Sequence, residues 1–599
     1  MKNLLLIIFL LQLFINIHAQ DWKTHYEQSD FKKTSSYTET LDYFNRLDAA
    51  SPMAATIILG KSPQGREIPM MIIDRDGLKD PLAIRSKGRV ITLIQACIHP
   101  GEPDGKDAAL VLLRDMLISK KHRELLDKTS ILFIPILNVD GHERFGPYNR
   151  INQNGPEGMG WRTNAHNLNL NRDYLKADAV EMQHWLRMYS NWLPDFFIDI
   201  HTTDGADFQY ALTYDIEVYG NLDSGITRWL SNIYEPRITA KMKENGFPIF
   251  PYVQFRNWHD PRSGLRTGAA PPMISQGYAA LQNRPALLIE THMLKDYKTR
   301  VNATIQMLIH TLFIINHQAD NLKTLIEMAD KSTAAPAFRK QPHPVSWKTS
   351  TTDSTMVDFY GFDYQVLKSD LTGGDWFVYD NARPIVMKLP FFNKSVPETT
   401  VLLPEAYIIP AEWTEVINRM KLHGIKMDIL SEPAEITVKS YKFKDYEFRK
   451  TPNEGRHMVS TGLTESEEKR IFPAGSAIVA TSQRTARVIA AILEPAASGS
   501  YVEWGFFNAV FEQKEYSETY VMEKMAREML EKSPELRREF EAKKSEPGFT
   551  GNQWTMLNWF YSKTPYWDQQ FLKYPVGKIT DSQELTRLRR ISAPPGQQF

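Results

Sequence analysis

VITLIQACI, residues 90–98, decides the fold. It is almost wholly apolar and rich in β-branched side chains. That is the pattern of a strand buried on both faces, and such strands belong to parallel sheets covered by helices. A helical pattern follows over residues 105–117. Working outward, SILFIPIL at 130–137 reads as a second buried strand, 196–200 as a third and 286–289 as a fourth. Helical stretches lie between them at 179–193 and 225–245. Residues 21–51 read as a helical lead-in, and 301–334 as one long helix or two closing the domain. Buried strands alternating with helices predict a doubly wound α/β domain.

The rest of the chain bounds what this domain can be. There are 599 residues, with 71 Lys plus Arg against 71 Asp plus Glu, so no global charge draws the protein to nucleic acid or to an anionic membrane. A hydrophobic fraction of 42% is ordinary for a globular chain. The single cysteine, Cys97, excludes an intrachain disulfide and a Cys-rich zinc site. Lying inside the apolar strand, it reads as a core thiol. At the start, Lys2 precedes an apolar run over 4–17, interrupted by Gln12 and Asn16 and followed by the small Ala19. This predicts a signal peptide over residues 1–19, cleaved on export, and hence a secreted or periplasmic protein. The run is shorter than the ~20 residues of a bilayer span. No later stretch is long and apolar enough to span one, so no stable membrane insertion is expected after cleavage.

Residues 20–334 form the α/β domain in this reading. The Pro-, Ser- and Thr-rich stretch 335–354 reads as a linker. Residues 355–599 read as an α/β or β-rich accessory region of unknown role. Within it, 399–409 and 426–430 look like strands. Residues 411–423 form an amphipathic helix with Trp413, Ile417 and Met420 on one face and Gly424 as its stop. A strand-to-helix unit is expected at 476–493 and charged helix over 512–544.

Chemistry concentrates at strand ends. His99-Pro-Gly-Glu102 follows the first strand and is the only His-x-x-Glu in the chain. Alone, it is also compatible with a surface turn. His201 follows the third strand in the same way. Two imidazoles and a carboxylate at the carboxyl ends of adjacent strands match the ligand set of a catalytic zinc with one open position. Neither His-Glu-x-x-His nor Gly-x-Ser-x-Gly occurs, which removes the common metalloprotease helix and the nucleophile elbow. Glu290 leaves the fourth strand and supplies a candidate base. Trp161-Arg162 and Asn169-Leu-Asn171-Arg172 lie in Asn- and Gly-rich loops, a setting suited to fork-like recognition of a carboxylate.

Taken in order, Gly60-Lys-Ser-x-x-Gly65-Arg66, His99-x-x-Glu102, Asn138-Val-Asp-Gly141, Trp161-Arg162, Asn169-Leu-Asn171-Arg172, Asp199-Ile-His201 and Glu290 resemble the zinc carboxypeptidase family typified by the pancreatic carboxypeptidases. The resemblance covers residues 43–317. It implies a mixed sheet with flanking helices, one zinc ion per chain and peptide or protein C-termini as substrates. His99, Glu102 and His201 would hold the metal. Glu290 would be the general base for a zinc-activated water, and Arg162 would stabilise the oxyanion. Asn171 and Arg172 would bind the terminal carboxylate.

Three departures accompany it. Asn169 stands where the family usually has an Asp that accepts from a zinc-bound His. Val139 replaces a Pro that is frequent in the family's turn. The family's substrate-contacting Tyr has no obvious match, with Tyr278 the candidate. Asp260, Arg262 and Arg266 are candidates for the substrate entrance. Two other readings stay open: a zinc amidase acting on cell-wall or acyl-amino-acid substrates, and a binding module that retains the fold without turnover.

Overall fold

The computed structural model describes residues 21–593, so the expected signal peptide lies outside the described residues. The chain forms two compact units. One runs to Glu405 and takes in Thr414–Met427 and Val479–Ser500; the other comprises Ala406–Trp413, Asp428–Ile478 and the chain from Tyr501 onward.

The strands of the first unit's α/β part are β1 (Ala54–Lys61), β2 (Glu67–Ile73), β3 (Val90–Gln95), β4 (Thr129–Ile134), β5 (Phe196–Thr203), β6 (Leu212–Ile216), β7 (Phe250–Pro251), β8 (Gln254–Asn257), β9 (Asp260–Arg266) and β10 (Ala286–His292). Eight of them make one sheet in the order β1-β2-β4-β3-β5-β10-β6-β7. The centre, β4-β3-β5-β10, is parallel, while β1–β2, β2–β4 and β10–β6 pair antiparallel. The sheet is therefore mixed. All of β3 and β4 is buried, as their apolar runs require.

Helices cover both faces: α1 (Asp104–Leu117), α2 (Val180–Trp192), α3 (Ser275–Leu281) and α4 (Tyr297–Ala334). One side packs Ile94, Ile198 and Ile200 with Leu110 and Leu113 of α1 and Met307 and Leu308 of α4. On the other, Phe197 meets Trp185 and Tyr189 of α2, and both rings also meet Tyr278 of α3. The chain leaves β3 for β4 on one side and returns to β5 on the other. That reversal between β3 and β5 opens a crevice at their carboxyl ends. The helix expected over 225–245 is interrupted by a π-turn at Leu230–Tyr234. Pro236, which lacks an N–H, follows at the start of the next helix.

The same unit adds β11 (His343–Thr349), β12 (Thr355–Lys368), β13 (Asp375–Phe392) and β14 (Ser395–Val401). β11 pairs with β14, and the β12–β13 hairpin extends β9 and β8 into a four-stranded sheet. Residues 335–354, read above as a linker, thus contain a strand. Its Trp347 indole donates to Asn221 Oδ1 at 2.8 Å, so the segment is bonded into the α/β part.

Most of a seven-stranded sheet belongs to the second unit; its strands are β15 (Ala406–Ile409), β16 (Asp428–Leu430), β17 (Ala434–Phe448), β18 (Val459–Phe472), β19 (Ala477–Ala480), β20 (Gly577–Ile579) and β21 (Ser592–Ala593). Ile408, Ile436, Val438, Phe472 and Leu588 form its core. Helices over Thr519–Lys532, Pro534–Lys543 and Gln553–Tyr561 gather around Phe540, Leu557 and Phe560.

Candidate metal centre

After β3 the chain turns sharply, with Cys97 in the left-handed region at φ 53°. The turn delivers His99, and Glu102 N–H closes it onto His99 O at 2.9 Å. Cys97 itself is buried, which pushes its thiol up to about 12 and makes it inert. His201 projects from β5 opposite Glu290 of β10, its partner in register. Gly105 lets α1 sit close against β5: a Cβ there would lie 2.6 Å from Ile200 Cβ.

His99, Glu102 and His201 converge and are all buried. Glu102 Oε2 is 3.2 Å from His99 Nδ1 and 3.1 Å from His201 Nδ1, and the two Nδ1 atoms are 3.2 Å apart. The far nitrogens are committed elsewhere. His99 Nε2 lies 2.8 Å from Asn169 Oδ1, and His201 Nε2 lies 2.9 Å from Asp199 Oδ2. With a proton on each Nε2, both Nδ1 lone pairs point at the carboxylate oxygen. Three lone-pair donors facing one another in a buried place suit a divalent cation, and N₂O is a zinc donor set. Asn169 therefore occupies the acceptor place beside His99, with an amide where the family usually has a carboxylate.

Electrostatics suit His99 and Glu102 as they stand, whereas a metal ion must displace a proton from His201. Burial takes His99 down to about 4, so it is neutral at ordinary pH. Burial alone would raise Glu102, but His99 and Arg150 outweigh it and hold the carboxyl well below its usual range. Burial would lower His201, yet the charge and hydrogen bond of Asp199 hold its proton well above the usual range.

The motifs around the centre brace it. Asp140 accepts from Ser62 Oγ at 2.7 Å, from Gln64 N–H at 3.1 Å and from Arg66 Nη1 at 2.7 Å. The Gly60–Arg66 signature thereby locks onto the Asn138–Gly141 turn. Asn138 Nδ2 in turn donates to Ile98 O and Arg162 O, joining the ligand turn to the arginine loop.

A cavity of about 550 Å³ opens over the centre. His99, Glu102, Arg162, Asn171, Arg172, His201 and Glu290 all line it. Arg162 Nη1 reaches Glu102 Oε1 at 3.2 Å, and Arg172 Nη1 donates to Asn171 O at 2.7 Å. Asn171 Oδ1 is buried with no hydrogen bond among the described residues. Burial carries Glu290 up to about 8, with Glu102 adding to the rise and His201 opposing it.

Tyr278 is elsewhere. It is fully buried, packed with Trp185 and Tyr189, and its hydroxyl is 2.9 Å from His423 Nδ1. The start of α3 is tight, since a Gly277 Cβ would meet Pro271 O at 2.2 Å. Of the three loop candidates, Arg266 lines the cavity. Arg262 instead stacks on Tyr364 and pairs with Asp363, and Asp260 bonds the Tyr364 hydroxyl.

Among the lining residues that were not foreseen are Arg150, Tyr252, Asp215 and Gln276. Tyr252 faces Thr203 and Glu290, and its phenol is raised by burial and by that carboxylate. Asp215 Oδ2 accepts from Gln276 Nε2 at 2.8 Å, and burial takes Asp215 up to about 7. Asp215 belongs to an apolar–polar alternation in β6. Arg150 and Tyr252 sit in loops without periodicity.

Residues 40–232 match the model of the zinc carboxypeptidase family. Carboxypeptidase 2 of Trichophyton rubrum is 24% identical over 506 residues, covering 80% of this chain and 85% of its own. Probable carboxypeptidase 2 of Trichophyton verrucosum is 24% identical over 488 residues, covering 78% and 86%. Among solved structures, a putative carboxypeptidase A from Shewanella denitrificans overlaps 48% of this chain and 69% of its own, at 19% identity and a TM-score of 0.37. The family match lies across the sheet that carries His99, Glu102 and His201, so this part of the chain is similar to the zinc carboxypeptidases.

Proposed function

We propose that this is an exported carboxypeptidase that removes single residues from peptide C-termini, with a preference for cationic ones. The observation that carries the reading is one cavity holding a buried His–Glu–His cluster, a carboxyl on the facing strand and the Arg162–Asn171–Arg172 group. Export rests on the character of residues 1–19 alone.

His99, Glu102 and His201 would hold zinc, which would supply a Lewis acid to acidify water and polarise a carbonyl oxygen. Glu290, ionised, takes a proton from the attacking water and gives it to the departing amine nitrogen. Positive charge at the ligand cluster opposes the burial that makes Glu290 hold its proton, and so favours the basic form. Arg162 offers its guanidinium to the carbonyl oxygen as negative charge develops there. Arg172 and Asn171 hold the terminal carboxylate, which restricts cleavage to the last peptide bond.

The preference rests on Asp215 and Gln276. A buried carboxyl at the cavity wall gains a partner when a Lys or Arg side chain enters, and is left unpaired by an apolar one. The test is cleavage of a peptide series by the zinc-loaded protein. Peptides ending in free Lys or Arg should be the best substrates, and the same peptides amidated should resist. Asp215→Asn should erase the preference while leaving apolar C-termini unaffected. Equal cleavage of acid and amide would overturn the carboxypeptidase reading in favour of an amidase.

A further inference from the structure

Glu102 turns its two oxygens to different neighbours. Oε2 faces the two Nδ1 atoms. Oε1 lies 2.8 Å from Arg150 Nη1 and 3.2 Å from Arg162 Nη1. The two guanidiniums are not equivalent. The Arg162 side chain is 42% exposed at the cavity, whereas that of Arg150 is 16% exposed. Arg150 Nη2 also reaches Thr202 O at 3.4 Å, just past His201.

The ligand turn is shaped to receive Arg150. A Cβ on Gly101 would lie 2.7 Å from Arg150 Cγ and 3.0 Å from Cδ, so only glycine lets the arginine stem cross between His99 and Glu102. From the same loop, Gln153 Nε2 donates to Gly101 O at 2.9 Å. Arg150 is therefore fixed by packing as well as by charge.

We propose that Arg150 is a positioning residue for Glu102. It pins Oε1, so that Oε2 alone is presented between the imidazoles, and it lets Arg162 leave Glu102 for a substrate oxygen without stranding a buried carboxylate oxygen. A lone arginine shared between Glu102 and substrate would break one charge-assisted bond to make another, and an unpaired buried charge is costly. With Arg150 in place, Arg162 moves at little cost. The inference rests on the reading that the cluster holds zinc.

The test uses the full chain, freed of metal, with zinc affinity measured by chelator competition and the visible spectrum recorded after Co²⁺ loading. Arg150→Met should weaken zinc by roughly 10- to 100-fold and shift the cobalt spectrum. Arg150→Lys, which keeps charge and stem, should fall between it and wild type, and covers the case in which Arg150→Met does not fold. Arg162→Met should keep wild-type zinc affinity and cobalt spectrum while kcat/KM falls, because Arg150 still holds Glu102. Both Arg150 variants binding zinc like wild type, or Arg162→Met weakening zinc as much as they do, would overturn the proposal. If wild type bound no zinc, the metal reading itself would fail and take this inference with it.

Discussion

Glu290 shows how one side chain's environment sets its task. Burial, with Glu102 adding to it, raises the carboxyl to about 8, so in the metal-free protein at neutral pH much of it is protonated. A cation at the neighbouring cluster reverses that balance. Infrared difference spectra of wild type against Glu290→Gln should therefore contain a protonated-carboxyl band at pH 7 that zinc removes. The same variant should keep zinc while turnover falls about 10²- to 10⁴-fold. A Glu290→Gln enzyme near wild-type rate would remove Glu290 from the chemistry. The ligand residues were legible because they stand at the ends of buried strands, where sequence marks both the strand and its exit. Arg150 and Tyr252 were not, since their loops carry no period and their meaning arises only when loop and strand end are juxtaposed. Tyr278, the candidate for a substrate-contacting Tyr, misled because nothing in the sequence around it shows which way the phenol points, and only packing shows that it lies in the core.

At the scale of elements, α1 and β5 depend on one close contact. Gly105 stands against Ile200, one residue before His201, with no room for a methyl group. Gly105→Ala gains intrinsic helix propensity but must push α1 from β5. Overpacking of this kind costs about 1–3 kcal/mol, against the roughly 1 kcal/mol that alanine gains over glycine in a helix. The variant should therefore lose stability and bind zinc more weakly, as thermal unfolding and chelator competition would show. A more stable variant with unchanged zinc affinity would mean that the contact relaxes freely. The strands of the central sheet were readable for the same reason this contact is tight: they are buried on both faces, so apolar runs announce them. The hairpins β12–β13 and β17–β18 were not foreseen. β12 and β13 expose Met356, Val366, Trp376 and Val386 while carrying polar residues between them, so burial imposes no clean alternation. β18 carries Glu465, Glu467 and Glu468, and Glu is a helix former, yet it is held as a strand by its pairing with β17.

Across the whole molecule, buried titratable groups of opposite tendency make stability depend on pH and on metal together. Burial lowers His99 and His142 to about 4 and His343 and His423 to about 3. Each binds fewer protons folded than unfolded, so stability rises with pH until the unfolded histidines have titrated near 6.5. Asp215 and Glu217, raised by burial to about 7, and Glu290, raised to about 8, have the opposite sign. Their folded forms hold protons that the unfolded chain has already released. That stability is complete below about 4 and is lost as pH climbs through 7 and 8. Between about 6.5 and 8 the contribution of these four histidines is flat, the carboxyl contribution remains, and His201, held well above its usual range, adds to the loss as pH rises. The metal-free protein should therefore unfold at falling temperature over that interval, and Asp215→Asn should flatten the fall. Zinc should act in the other direction, because its ligands bind it better as protons cease to compete. Free zinc at 100 times its dissociation constant adds about 2.7 kcal/mol to the folded state. Calorimetric scans at pH 6.5 and 8, with and without zinc, separate the two effects: the gap between loaded and metal-free midpoints should widen with pH. A metal-free midpoint that rises over the interval would mean that Asp215, Glu217 and Glu290 are ionised in the folded protein, and would remove the acidic pocket floor as a device tuned to receive a cationic side chain.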